Sequence, residues 1–259
     1  MTQPVSGPLA ILTGGSTGIG HYLVGALARA GYAVAFSYRS SPDAAQASVQ
    51  ALEAQGLTSL ALPCDVGIKA QVEAFVAQAV AWAGAVPTLL VNNAGIQTWS
   101  PLLDLDEERW DDVIRTNLKG CFLHTQIVGR LMADAGQGGS IINIGSGCNK
   151  LAFPNLVDYT ASKGGIEQFT KSAAVELGRY GITVNCVAPG AIATERTAEE
   201  APDYAATWAP ITPLGRVGTP EDLLGAVLFF AGAGSRFVTG QTLWVDGGVF
   251  TRAAWPYAQ

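Results

Sequence analysis

The chain has 259 residues, 49% of them apolar and only 14% charged, which supplies a large buried core and excludes a chain disordered over most of its length. Fifteen lysines and arginines face 21 acidic residues, a net charge of −6 with no basic run that could follow a phosphate backbone. Nucleic-acid binding is thereby excluded as a function class.

Apolar runs of strand type fall at residues 9–13, 33–37, 59–64, 89–91, 140–144, 182–188 and 241–245. They are continuously apolar, as strands covered on both faces are. Helical stretches open near Gly18, Pro42, Ile68, Asp106, Asp158 and Pro220, with Gly31 and Gly181 as stops and Pro220-Glu221-Asp222 as an acidic first turn. This alternation predicts an α/β fold in one domain over residues 1–259, a doubly wound, seven-stranded parallel sheet with helices on both faces. Ligands of such folds bind outside the carboxyl ends of the strands. Residues 194–213 read as an irregular lid over that end, and residues 249–259 as a C-terminal tail.

The longest apolar stretch, residues 79–91, is broken by Gly84 and Pro87 and falls short of the roughly 20 residues of a membrane span. No basic segment precedes the first apolar run, so a signal peptide is not expected. Four cysteines, Cys64, Cys121, Cys148 and Cys186, form no CxxC pair, and there are two histidines, His21 and His124. That leaves no metal-ligand spacing and points to reduced thiols in a cytoplasmic protein with no membrane partner. Both histidines read as structural, and Cys148 as a buried thiol that can line a pocket.

After the first run comes Thr13-Gly14-Gly15-Ser16-Thr17-Gly18-Ile19-Gly20, a glycine-rich turn opening a helix. Alone it reads either as an ordinary tight turn or as a pyrophosphate cradle at a helix N-terminus. Four further motifs follow in order: Asn92-Asn93-Ala94-Gly95, Tyr159-Thr160-Ala161-Ser162-Lys163, Pro189-Gly190 and Val245-Asp246-Gly247-Gly248. With these motifs the chain resembles the short-chain dehydrogenase/reductase family over essentially its whole length. The resemblance implies a Rossmann-type fold, a nicotinamide cofactor, a small-molecule alcohol or carbonyl substrate, and a homotetramer.

The resemblance also assigns residues. Gly14, Ser16, Thr17, Gly18, Ile19 and Gly20 would face the cofactor's phosphates. Tyr38 stands where NAD-preferring members carry Asp, and Arg39 and Ser40 follow, which favours NADP(H) with NAD(H) as a second cofactor. Asp65 and Val66 match the adenine contacts, and Asp65 reads equally as the N-cap of the next helix. Asn92, Ala94 and Gly95 match the segment beside the adenosine ribose, and Pro189, Gly190, Ile192 and Thr194 the segment around the nicotinamide carboxamide.

Tyr159 and Lys163 are four apart in a segment whose Ile166, Phe169, Ala173 and Leu177 keep helical spacing, so both project from one face. An isolated tyrosine is a poor base at neutral pH. An adjacent ammonium and the positive oxidised nicotinamide favour its phenolate, which then exchanges a proton with an alcohol or carbonyl. Ser146 matches the family's substrate-binding serine, able to donate to the oxygen on which charge develops. Asn117 matches the asparagine of a proton relay through Lys163, or else caps or kinks its helix.

Residues 146–159, the Ala191-Ile192 step, Tyr38-Arg39-Ser40 and the tail resemble the bacterial glucose 1-dehydrogenase branch, which oxidises aldoses at the anomeric carbon. Gln97, Cys148 and Asn149 could bond sugar hydroxyls. Trp99, Phe153 and Trp208 would equally suit a bulky ketone, so reduction of a 3-oxoacyl thioester or another ketone is the rival. Trp208 and Trp255-Pro256-Tyr257 read as pocket covers or as oligomer contacts. A catalytically silent nucleotide sensor on the same fold would be expected to lose Tyr159, Lys163 or Ser146, and all three are present.

Overall fold

The structure, a computed structural model, describes residues 5–251 and 253. Along the chain run β1 (Leu9–Leu12), α1 (Gly18–Arg29), β2 (Ala33–Tyr38), α2 (Pro42–Glu53), β3 (Ser59–Pro63), α3 (Lys69–Ala83) and β4 (Leu89–Asn92). Then come α4 (Glu107–Val113), α5 (Gly120–Ala135), β5 (Gly139–Ile144), α6 (Val157–Leu177) and β6 (Ile182–Pro189). The last are α7 (Glu195–Glu200), α8 (Tyr204–Trp208), α9 (Leu224–Ala231) and β7 (Thr242–Val245).

The seven strands make one sheet in the order β3-β2-β1-β4-β5-β6-β7, every pairing parallel. The chain leaves β3 at one edge and re-enters at β4, on the other side of β1. This reversal opens a crevice at the carboxyl ends of β1 and β4, where a ligand fits.

Continuous apolarity of the strands has its cause in the two cores they feed. In β1, Ala10 and Leu12 pack with Leu23 and Leu27 of α1 and Val227 and Phe230 of α9. Leu9 and Ile11 point the other way, to Phe75 and Val76 of α3 and Leu123 and Met132 of α5. Strand period two therefore delivers alternate residues to opposite layers, both dry.

Two stretches carry more detail than the sequence marked. The helix opening at Asp106 is not continuous: Asp106 caps α4 through Glu108 and Arg109, and a π-helical segment at Ile114–Lys119 separates α4 from α5. Its widened turn places Asn117 inside, 1% exposed, where its side chain bonds a neighbouring backbone segment. Residues 194–213 are also not irregular. Thr194 and Thr197 form a reciprocal capping box that starts α7, and α8 and a 3-10 turn at Ala209–Ile211 follow. Each piece is too short for an apolar period to show in the sequence.

Candidate active site

The carboxyl ends of the central strands open onto a cavity of about 1270 Å³. At one end lies the turn between β1 and α1. Thr17 precedes α1 without a side-chain cap, so the first-turn N–H groups of α1 face the cavity instead of a hydroxyl. Gly18 adopts φ +55°, a left-handed conformation that suits glycine. A Cβ on Gly20 would lie 2.0 Å from the Gly14 carbonyl oxygen, so the loop closes only around glycine. Asn93, just past the end of β4, holds it, its Nδ2 donating to the carbonyls of Thr13 at 3.0 Å and Gly14 at 2.9 Å. These residues fit a dinucleotide pyrophosphate: open N–H donors and a backbone stripped of side chains.

Gly14, Ser16, Thr17, Gly18, Ile19 and Gly20 all line the cavity, as do Tyr38, Arg39, Ser40, Asp65, Val66, Ala94, Gly95, Pro189, Gly190, Ile192 and Thr194. Arg39 stands exposed just beyond β2. Asp65 pairs with Arg115 at 2.9 Å and accepts the Gly67 N–H at 2.9 Å. Burial pushes its carboxyl up, but the Arg115 and Gly67 hydrogen bonds and the charges of Arg115 and Arg39 outweigh this and hold it below its ordinary value. The N-cap of α3 is Ile68. Asp65 lies too early to cap that helix and instead closes the turn before it.

At mid-cavity α6 presents Tyr159 and Lys163. The Lys163 Nζ lies 5.5 Å from the Tyr159 ring centre and donates to the Ile144 carbonyl at 2.7 Å, which fixes a nearly buried ammonium beside the phenol. Ser146 follows β5, and its Oγ accepts the Cys148 N–H at 3.3 Å. With a lone pair so engaged, the hydroxyl proton is free to point into the cavity.

Asn117 sits behind this group. It clamps Ile96 by accepting its N–H at 2.8 Å and donating to its carbonyl at 2.9 Å, and it donates to Ser162 at 2.9 Å. It therefore acts on the site through the 95–96 backbone, without lining the cavity itself.

The far end lies beneath α7 and α8. Gln97, Trp99, Cys148, Phe153, Tyr204, Trp208 and Phe250 line it. Phe153, Trp208 and Phe250 pack on one another with ring centres 5.6–6.4 Å apart, a rigid aromatic wall. Glu200 of α7 reaches across: its carboxylate accepts Gln97 Nε2 at 3.1 Å, Trp99 Nε1 at 3.4 Å and Arg196 Nε at 2.8 Å. Burial pushes the Cys148 thiol up, and Cys64 and Cys121 up to about 12, so none is a thiolate at neutral pH.

The profile of the family described as Enoyl-(Acyl carrier protein) reductase matches residues 14–250. The chain belongs to the short-chain dehydrogenase/reductase family. Its relatives include the 3-oxoacyl-acyl-carrier-protein reductase FabG of Staphylococcus epidermidis, 39% identical over 93% of this chain and 98% of the relative. L-rhamnose 1-dehydrogenase (NAD(P)(+)) of Sphingomonas sp. strain SKA58 is 35% identical over 95% of this chain and 97% of that one. Among solved structures, a gluconate 5-dehydrogenase from Burkholderia cenocepacia J2315 in complex with NADP and tartrate superposes with a TM-score of 0.88. That enzyme is 38% identical, over 96% of this chain and 98% of its own.

As a short-chain dehydrogenase/reductase the protein is an NAD(P)-dependent oxidoreductase with a small-molecule substrate. Among the described residues no helix is long and apolar enough to cross a membrane, and no group of three His, Cys, Asp or Glu could hold a metal ion.

Two expected site residues in this dehydrogenase fall elsewhere. Asn92 does not reach the cavity; it is 6% exposed and bonds Thr125 at 3.0 Å and Asn143 at 2.9 Å inside the sheet. The loop contact belongs to its neighbour Asn93. Asn149 does not line the cavity, its Oδ1 accepting the Ser146 N–H at 3.1 Å and its Nδ2 facing Cys186. His21 is exposed at the cavity mouth rather than structural. Tyr204, Phe250 and Glu200 had no signal of their own, since only the folding-back of α7, α8 and the C-terminal segment brings them to the cavity. Trp255, Pro256 and Tyr257 lie outside the described residues.

Proposed function

We propose that this enzyme interconverts an alcohol and a carbonyl on a compact, uncharged substrate, with NADP(H) as its preferred cofactor. In oxidation, Tyr159 takes the hydroxyl proton, the adjacent Lys163 ammonium stabilises the resulting phenolate, and Ser146 donates a hydrogen bond to the substrate oxygen. The nicotinamide cofactor, when bound, accepts the hydride or returns it. Asn117 keeps the 95–96 turn in place beside Lys163, where a proton can pass from Tyr159 toward solvent.

The observation that carries the substrate reading is the charge of the far end. Among the described residues, the lysines and arginines lining the cavity are Arg39 at the other end, Lys163 engaged with Ile144, and Arg196 engaged with Glu200. Glu195, Glu199 and Glu200 stand at the same mouth. Among the described residues, a carboxylate substrate such as gluconate, or an acidic carrier protein, would meet net negative charge at this end, where the one arginine is paired with Glu200. A neutral aldose oxidised at its anomeric carbon fits better: its hydroxyls can bond Gln97 and Glu200 while its ring faces the aromatic wall. The same wall favours a second reading, reduction of an aryl ketone.

NADP(H) preference is supported by exposed Arg39 beside Tyr38, with no carboxylate at that strand end to repel a 2′-phosphate. We further propose a cytoplasmic homotetramer. Its assembly is supported by the apolar surface of α5 and α6, where Phe122 and Val175 are exposed.

The test is kcat/KM for L-rhamnose, D-glucose and gluconate with NADP⁺, against acetoacetyl thioester and aryl ketones with NADPH, followed by nicotinamide absorbance. Turnover of neutral aldoses above gluconate supports the reading. Brisk thioester reduction with no aldose oxidation overturns it.

A further inference from the structure

Asp158 precedes Tyr159 in the chain, is 1% exposed, and is held by neutral donors. Its Oδ1 accepts the Tyr159 backbone N–H at 2.6 Å and its Oδ2 accepts the Thr98 hydroxyl. A carboxylate is costly to bury without a cation, so its value lies in what it holds. What it holds is a strip of chain that faces two ways. Gln97 and Trp99 line the cavity and Thr98 does not, the alternation of an extended segment.

Further links tie this strip to the start of α6. Ser100 donates its N–H to the Asn155 carbonyl at 3.0 Å and pairs in parallel with Leu156. Asn155 adopts φ +61°, alone among the described non-glycine residues in being positive, a conformation that asparagine tolerates. From the opposite side Glu200 of α7 accepts both Gln97 and Trp99. The strip is thus gripped from below by the helix that carries Tyr159 and from above by the lid.

We propose that Asp158 is a positioning residue which, through Thr98, sets Gln97, Trp99 and the lid carboxylate Glu200 in register with the Tyr159 hydroxyl. Substrate recognition and lid closure are then geared to the proton-transfer helix, while the nucleotide half of the cavity is left alone. The inference rests on the reading of Tyr159 as the reacting group.

The test compares wild type with Thr98→Val, Thr98→Ser, Asp158→Ala, Asp158→Asn and the double variant Thr98→Val/Asp158→Ala. Hydrogen–deuterium exchange is followed in peptides covering 96–100 and 195–200, the NADPH Kd by fluorescence, and KM and kcat on the fastest substrate of the panel above. Thr98→Val is expected to speed exchange in both peptides about tenfold and raise KM about tenfold, with kcat within about threefold and the NADPH Kd within about twofold. Thr98→Ser and Asp158→Asn, which keep a donor and acceptor in place, restore wild-type values. The double variant is no worse than its worse parent. Unchanged exchange at 195–200 in Thr98→Val, additive losses, or a parallel loss of NADPH affinity would overturn the proposal. Thr98→Val keeps the test open if Asp158→Ala fails to fold. If no panel substrate turns over, the proposed function fails while the exchange result still decides the brace.

Discussion

Arg39 is exposed and lines the cavity beside Asp65, and its charge also helps to hold the Asp65 carboxyl below its ordinary value. Arg39→Asp should weaken NADPH about 10–100-fold, the scale of a lost charge-assisted hydrogen bond plus repulsion, and NADH by much less. Fluorescence titration of both cofactors checks this; equal losses would make Arg39 a surface residue. His124 is a different case, a buried ring whose Nδ1 lies 2.9 Å from the Gly120 carbonyl and whose titration burial pushes down to about 4. Unfolded histidine binds its proton near 6.5, so between about 6.5 and 4 the unfolded chain holds more protons and stability falls as pH falls. The loss approaches something on the order of 3 kcal/mol at the acid end of that window. His124→Leu should flatten the Tm against pH between 7.5 and 4.5 if this ring is responsible, and an unaltered slope would assign the acid sensitivity elsewhere. At this scale the cavity positions of Tyr159, Lys163 and the glycine turn were legible because each sits in a local motif, and that of Ser146 through the family resemblance and its spacing to Tyr159. Glu200 and Asp158 were not, because a carboxylate's partners are set by which loops fold against it.

Among the elements, the βα turn carries the clearest consequence. Gly20→Ala would place a methyl 2.0 Å from the Gly14 carbonyl oxygen and 2.5 Å from Asn93 Nδ2, neither of which can yield without moving α1 or the end of β4. The expected result is destabilisation of about 1–3 kcal/mol, with NADPH affinity down at least about tenfold. Denaturant melts and fluorescence titration measure the two effects, and a variant with wild-type affinity would show that the loop has slack. The strands were readable to within a residue, because burial on both faces of the five inner strands leaves largely apolar runs bounded by glycine and polar turns. The break between α4 and α5 was hidden: a π segment costs no composition signal, and only the inward bonds of Asn117 to Ile96 reveal its purpose. The lid helices were hidden for another reason, since six- and five-residue helices hold too few turns to show a period.

For the whole molecule, the sheet gathers the carboxyl ends of its central strands beneath α7 and α8, so the glycine-turn end and the aromatic end of one cavity meet at Tyr159. Seven parallel strands and a single domain followed from the alternation of runs. Assembly did not, because outward residues such as Phe122 and Val175 carry no period that separates an interface from solvent. Light scattering at micromolar concentration should give about four times the chain mass of 26.8 kDa, whereas a monomer would remove the assembly from the account. A comparison of wild type with Tyr159→Phe tests most directly whether this cavity transfers a proton through Tyr159 beside a bound nicotinamide. With NADPH affinity measured in parallel, the substitution should cut kcat about 10²–10⁴-fold and leave the Kd and Tm nearly unchanged; a variant that retained near-normal kcat on the same substrate would contradict the mechanism.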